Sequence, residues 1–166
     1  MNASRRRAPL VKVRRGRMTD LDALIVLESA VFTMDVLSRR SFRHFLRWRG
    51  AALIVAEASG ELAGYVLVLY PPRSKHARLY SIAVAPHIGR RGIGALLLAA
   101  GEAAARRHGR ATMQLEVHEH NTRAIARYEK SKYRLFGRHR RYYDDGADAL
   151  RFEKVLSARN NHPPRR

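Results

Sequence analysis

Glu116, Asn121 and Tyr128 are the residues of this chain whose types and spacing can do chemistry. The run Leu115-Glu116-Val117-His118-Glu119-His120-Asn121-Thr122-Arg123-Ala124-Ile125-Ala126-Arg127-Tyr128-Glu129 pairs a strand carboxylate with a helix phenol. A carboxylate can accept a proton, and a phenol of pKa about 10 stays protonated at neutral pH and can give one up. Asn121 and Tyr128, seven residues apart, fall two turns apart on one helix face, so a ligand can lie along the roughly 10 Å between them. Taken singly, each has a plainer reading: Glu116 as an exposed strand residue, Tyr128 as a half-buried packing residue. His118 and His120 offer two ring nitrogens at one strand end, but no third ligand is identifiable, so no metal is expected.

A second feature lies upstream, where Leu79-Tyr80-Ser81-Ile82-Ala83-Val84 reads as an apolar strand that passes through Ala85-Pro86-His87-Ile88-Gly89-Arg90-Arg91-Gly92-Ile93-Gly94 into an amphipathic helix. The first N–H groups of a helix have no intrahelical partner, the macrodipole is positive there, and glycines let a pyrophosphate approach the main chain. Arg90 and Arg91 add full charges. Two familiar phosphate loops are excluded. A dinucleotide fingerprint needs a third glycine where Leu97 stands, and a Walker loop needs Gly-Lys-Ser/Thr where Gly94-Ala95-Leu96 stands.

The turn resembles the acetyl-CoA turn of the GNAT superfamily of N-acetyltransferases, Arg/Gln-x-x-Gly-x-Gly/Ala. Gly89 holds the usual Arg/Gln place, with Arg90 beside it. The Leu115–Glu129 run is similar to the same superfamily's Leu-Glu-Val-x-x-x-Asn-x-x-Ala-Ile-x-x-Tyr-Glu. Within the superfamily the chain looks most like the bacterial ribosomal-protein-alanine N-acetyltransferases of the RimI type, over roughly Arg78 to Leu156. The resemblance implies acetyl-CoA as the donor. Backbone contacts to it would come from Ile82, Ala83 and Val84, and its pyrophosphate would lie on Gly89, Arg90, Arg91, Gly92, Ile93, Gly94 and Ala95. It further implies that Asn121 holds the pantetheine arm, that Glu116 is a general base acting through water, and that Tyr128 is the acid for the departing thiolate. Tyr142 and Tyr143 fall where the family carries acceptor-side tyrosines. One departure stands out: the family's Leu-Gly-Phe after the helix is Ser131-Lys132-Tyr133 here, so that helix end is expected to differ.

These residues need elements to hold them. Val11–Arg14 reads as a first strand, Thr19-Asp20 as the cap of a helix through Leu27 and Glu28, and Ser38 as the cap of a second helix to about Trp48. Ala51–Glu57 and Leu62–Tyr70 form a hairpin about Ser59-Gly60. The third helix shows an apolar face at Ile93, Leu96, Leu97, Ala100 and Ala104 and stops at Gly109. Thr112–Val117 alternates as a half-buried strand. A helix from about Thr122 to Ser131 and strands at about Leu135–Tyr143 and Ala149–Leu156 finish the chain. The expected fold is α/β (α+β), a mixed central sheet of about seven strands with helices on both faces.

Size and composition bound the rest. The 166 residues suit one domain over 11–156, with basic, disordered tails at 1–10 and 157–166. The absence of cysteine removes disulfides and any cysteine acyl-enzyme, so transfer must proceed by direct attack in a cytoplasmic protein. No apolar run suits a signal peptide or a membrane span. The net charge of +19, mostly arginine and spread along the chain, reads as a solvated surface with incidental attraction to RNA. The acceptor is expected to be a primary amine, a protein or peptide N-terminus. Phe32, Asp35, Tyr142 and Tyr143 would lie near it, and Glu28, Asp35, Asp144, Asp145 and Asp148 would offset its charge. A small-molecule amine is the alternative acceptor, a non-catalytic acyl-CoA- or RNA-binding module the alternative class. Monomer and homodimer both fit.

Overall fold

The computed structural model describes residues 10–88 and 92–156. Gly89, Arg90 and Arg91 lie outside the described residues, as do the two expected tails apart from Leu10. Along the chain run β1 (Val11–Arg15), α1 (Leu21–Val31), α2 (Arg39–Arg47), β2 (Ala51–Ala58), β3 (Glu61–Leu69), β4 (His76–Val84), α3 (Ile93–Arg107), β5 (Thr112–His118), α4 (Thr122–Lys130), β6 (Arg134–His139) and β7 (Ala149–Val155). The seven strands form one sheet in the order β1-β2-β3-β4-β5-β7-β6. It is mixed, as expected: β4 and β5 are parallel, while β1 with β2, β5 with β7 and β6 with β7 are antiparallel. No helix among the described residues is long and apolar enough to cross a membrane.

The chain divides into two compact units, one comprising the residues up to Leu67 with Ile82–Ala100, the other Val68–Ser81 with the residues from Gly101 on. In the first, β1 pairs with β2 from Val11↔Ala58 to Arg15↔Ile54. Asp20 precedes α1, but its carboxylate does not cap it. It accepts instead from the Arg17 N–H at 2.7 Å and from two Arg14 guanidinium nitrogens at 2.8 Å each, and Arg14 holds it well below the usual carboxylate range. Ser38 does cap α2, its Oγ accepting from the Ser41 N–H at 3.1 Å. Leu24, Phe42, Leu53, Val66 and Leu97 are buried, with Phe42 edge-on to Tyr65 at 5.5 Å. Gly64 is required here: a Cβ would stand 2.6 Å from the Ala83 carbonyl and 2.8 Å from Leu97 Cδ1.

In the second unit the parallel ladder between β4 and β5 runs from His76↔Thr112 to Arg78↔Gln114, and β5 pairs with β7 over its whole length, Thr112↔Val155 to His118↔Ala149. Strand β6 ends at His139, short of the Tyr143 expected, because Arg141 takes a positive φ of 49° and its N–H turns back to Asp148 at 2.9 Å. The end of α4 departs less than its sequence suggests. Lys132 adopts the left-handed φ of 73° that glycine usually supplies. The Tyr133 N–H then reaches the Tyr128 carbonyl at 3.0 Å and the Lys132 N–H that of Glu129 at 3.1 Å, the two bonds of a Schellman motif.

The apolar stripe of α3 sits one position round from the expected one. Leu96 is 45% exposed, while Leu98, Glu102 and Ala105 join Ile93, Leu97 and Ala104 inside. The run Leu96-Leu97-Leu98 leaves the choice open on periodicity alone, and Glu102 decides it. Its carboxylate is buried but satisfied by Lys154 Nζ at 2.9 and 3.1 Å and by the Tyr133 hydroxyl at 3.0 Å.

Candidate active site

Glu116 occupies the middle of β5, opposite Arg151 of β7 in the strand register. Its side chain is flanked by two guanidinium groups. Arg78 Nη2 lies 3.2 Å from Oε2, and Arg151 Nε lies 3.9 Å from Oε1. Alternation along β5 explains the placement: Met113, Leu115 and Val117 are buried, and Gln114, Glu116 and His118 share the less covered face. Among the described residues the buried Arg78 and Arg151 Nε atoms have no hydrogen-bond partner, so each carries an uncommitted donor. Arg78 Nη2 also comes to 3.5 Å from the Tyr142 hydroxyl, so the arginine stands between Glu116 and the exposed Tyr142. Neither arginine was picked out by sequence reasoning. They lie far from Glu116 along the chain, and only the strand register brings them together.

Tyr128 is buried on α4, with Tyr133 edge-on at 5.7 Å and Phe152 at 6.5 Å. Burial pushes its phenol up to about 12, against a small opposing effect from Arg127. Among the described residues no side chain hydrogen-bonds its hydroxyl. That separates it from two other buried tyrosines, whose hydroxyls are committed to carboxylates: Tyr65 to Glu28 at 2.5 Å and Tyr133 to Glu102 at 3.0 Å. Asn121 is the N-cap of α4. Its Oδ1 accepts from the Ala124 N–H at 3.2 Å, leaving the amide nitrogen to the exposed side.

The acids expected to offset a cationic acceptor are mostly engaged within the protein. Asp145 accepts from His118 Nε2 at 2.7 Å, which holds its carboxyl below the ordinary value. His118 Nδ1 in turn accepts from the His120 N–H at 3.1 Å, which places the ring proton on Nε2. Asp148 pairs with Arg138 at 2.8 Å, and Arg138 likewise lowers its carboxyl. Tyr143 packs against His118 with ring centroids 4.8 Å apart. No group of three or more His, Asp or Glu among the described residues is arranged to hold a metal ion.

The first unit carries the other expected contacts. Ile82, Ala83 and Val84 are the last residues of β4, after which the Ala85 N–H bonds to the Ala63 carbonyl at 2.8 Å. The helix that follows begins on Gly92, whose φ of 69° suits glycine and whose Cβ position meets no described residue within 4 Å. The first bond of α3 runs from the Leu96 N–H to the Gly92 carbonyl at 3.0 Å, so the N–H groups of Ile93, Gly94 and Ala95 precede the helical ladder. The open glycine and these amides fit a phosphate group. Phe32 ends α1 half-buried, and Asp35 stands exposed in the next loop with φ 52°. Glu28 anchors that loop, because its buried carboxylate accepts from the Leu37 N–H at 2.9 Å as well as from Tyr65.

Known proteins place the chain in one family. Residues 21–133 match the model of the Acetyltransferase (GNAT) family. An N-alpha-acetyltransferase from Sulfurisphaera tokodaii is 31% identical over 149 residues, covering 83% of this chain and 89% of that protein. Among solved structures, the ribosomal-protein-S18-alanine N-acetyltransferase from Escherichia coli superimposes with a TM-score of 0.80 at 25% identity, covering 94% of this chain and 100% of its own. A nourseothricin acetyltransferase does so at 0.74 and 24%, covering 89% and 99%, so likeness of fold extends across acceptors of different kinds. The chain belongs to the GNAT family and is an acetyl-transferring enzyme.

Proposed function

We propose that this enzyme moves an acetyl group from acetyl-CoA to the α-amine of a protein or peptide N-terminus, by direct attack. One observation carries the proposal: a carboxylate set between two arginines and a buried phenol with an uncommitted, firmly held proton belong to the same compact unit. The donor, when bound, supplies a thioester carbon open to attack. In the first unit Ile93, Gly94 and Ala95 would offer N–H groups to its diphosphate beside Gly92, and Ile82, Ala83 and Val84 would lend main chain; the family resemblance adds Gly89, Arg90 and Arg91, and in the second unit Asn121 would keep its amide nitrogen for the pantetheine arm.

The chain's own groups then move protons. The acceptor nitrogen bonds to the acyl carbon as the carbon–sulfur bond breaks. The amine's proton passes through water to Glu116, and the Tyr128 phenol gives its proton to the leaving sulfur. A phenol at about 12 is a weak acid, but a departing thiol in similarly dry surroundings is also raised by burial, which narrows the gap between them. Freeing an α-amine of pKa near 7.8 costs about 1 kcal/mol at pH 7, against about 4.6 for a lysine near 10.4. A carboxylate acting through water suffices for the first. The likeness to an N-alpha-acetyltransferase and to a ribosomal-protein-alanine enzyme supports the same acceptor class. A protein acceptor and a cytoplasmic site of action go together in this reading.

The test is a thiol-release assay with acetyl-CoA against peptides with free and blocked N-termini and a panel of small amines. Expected is turnover on free N-termini, mapped by mass spectrometry to the α-nitrogen, and about a hundredfold loss on Glu116→Gln with coenzyme binding kept. Turnover confined to small amines would overturn the acceptor. Full activity in Glu116→Gln would remove the base.

A further inference from the structure

Helix α2 is built for something the transfer chemistry does not use. Its buried side is Phe42, and its outward side is almost wholly cationic: Arg39, Arg40, Arg43 and Arg47, followed by Arg49, are all exposed. Arg39 is paired with Asp22 at 2.7 Å. Among the described residues Arg40, Arg43, Arg47 and Arg49 have no acidic partner. Spaced i, i+3 and i+7, Arg40, Arg43 and Arg47 form one stripe along the helix. Evenly scattered surface charge does not require such a row, and no acid among the described residues neutralises it.

Beside the stripe lies an aromatic platform. Trp48 is 41% exposed yet held in place by its neighbours. Its indole stacks on His44 with centroids 5.2 Å apart and planes 27° apart, and it lies so close over Gly50 that a Cβ there would collide with the six-membered ring. Glycine at position 50 thus gives the ring its seat. A large apolar ring left out of the core, and fixed next to a row of unpaired guanidinium groups, has the two parts of a single-stranded nucleic acid site: a charged track for phosphates and a flat face for a base.

We infer that the outward face of α2, with Arg40, Arg43 and Arg47 as the phosphate track and Trp48 as the stacking platform, binds single-stranded nucleic acid. Guanidinium groups repeating at helical spacing match a chain of phosphates, and the indole beside them offers a surface on which a base can stack; together these favour the nucleic acid over an acidic protein. The inference is independent of the acetyl-transfer reading.

Trp48 is the only tryptophan of the chain, so its emission reports on this surface alone. The full-length protein is titrated with a labelled oligouridylate of about twelve nucleotides, long enough for one such groove, between about 50 and 200 mM salt. Anisotropy and Trp48 emission are followed together. The expected result is saturable quenching of Trp48 in step with binding. The triple variant Arg40→Gln, Arg43→Gln, Arg47→Gln lowers the slope of log affinity against log salt by about 2. Trp48→Ala weakens binding about tenfold while Trp48→Phe keeps most of it. A control triple, Arg123→Gln, Arg134→Gln, Arg140→Gln, removes equal charge elsewhere, and thermal melts establish that each variant is folded. Unchanged Trp48 emission at saturation, or equal loss in the control triple, overturns the inference. So does an oligoglutamate of equal charge that quenches Trp48 and displaces the RNA.

Discussion

Replacing Lys132 by glycine stabilises this enzyme, and the size of the gain follows from one dihedral angle. Lys132 sits at φ 73°, a conformation that costs an L-residue about 1–2 kcal/mol through crowding of Cβ against the following carbonyl. It is held there by the bonds from Tyr133 to Tyr128 and from Lys132 to Glu129, both of main-chain atoms and indifferent to the side chain. The side chain itself is exposed, so its removal uncovers no buried surface. Against the relief of strain stands the extra unfolded-state freedom of glycine, about 0.5–1 kcal/mol. The net gain for Lys132→Gly is therefore about 0.5–1 kcal/mol, or an increase of about 2 °C in Tm for a chain of this length. Urea unfolding followed by circular dichroism measures it, with an unchanged m-value showing that only stability moved. Lys132→Ala is the control, since it keeps the Cβ and gains nothing from relief of strain. Equal stability of the glycine and alanine variants, or a loss on Lys132→Gly, would refute the left-handed helix end and with it the account of how the last turn beneath Tyr128 is closed.

Further expectations concern the buried polar groups. Tyr128→Phe, a change of one oxygen on a packed ring, should lower kcat by a factor of about 10²–10³ and leave the melting temperature nearly unchanged, because among the described residues no side chain hydrogen-bonds that hydroxyl; wild-type kcat in the variant would exclude the phenol as the acid. The pH dependence has a definite sign. With the folded phenol raised from 10 to about 12, Tyr128 is protonated throughout the neutral range, so loss of the acid should appear only well above pH 10 in stopped assays. The same shift favours the folded state fully below pH 10, an advantage lost as pH rises through about 12, and alkaline unfolding of Tyr128→Phe should lack that component. Lys154→Met removes the cation nearest buried Glu102 and should destabilise by about 2–3 kcal/mol in urea, with Glu102→Gln added in the double variant recovering part of it; a cost below about 0.5 kcal/mol would mean that Tyr133 and Arg106, the latter 3.8 Å away, suffice.

The local features of this fold were legible because short-range rules govern them. Ser38 caps α2, and the alternation from Thr112 to Val117 put Glu116 on the less covered face. Where the structure departs from those rules, a competing side-chain partner intervenes. Asp20 sits where a cap belongs, yet Arg14 six residues back and the Arg17 N–H claim its oxygens. The α3 stripe turned one position because Glu102 could be buried against Lys154, a pairing no window of periodicity contains.

The candidate site divides along the same line. Glu116, Asn121 and Tyr128 lie within thirteen residues and could be found by spacing, whereas Arg78 and Arg151 reach Glu116 only through strand register. Glu28, Asp145 and Asp148 were legible as acids but not as acids already engaged, and their engagement changes what they can do. A carboxylate already engaged by His118 or Arg138 orders a loop before it attracts an amine, so under the proposed function acceptor choice would rest more on the shape that Glu28 and Asp148 impose on their loops than on net negative charge. Specificity built that way should respond to loop substitutions at Phe32 or Tyr143 through KM, while kcat stays with Glu116 and Tyr128.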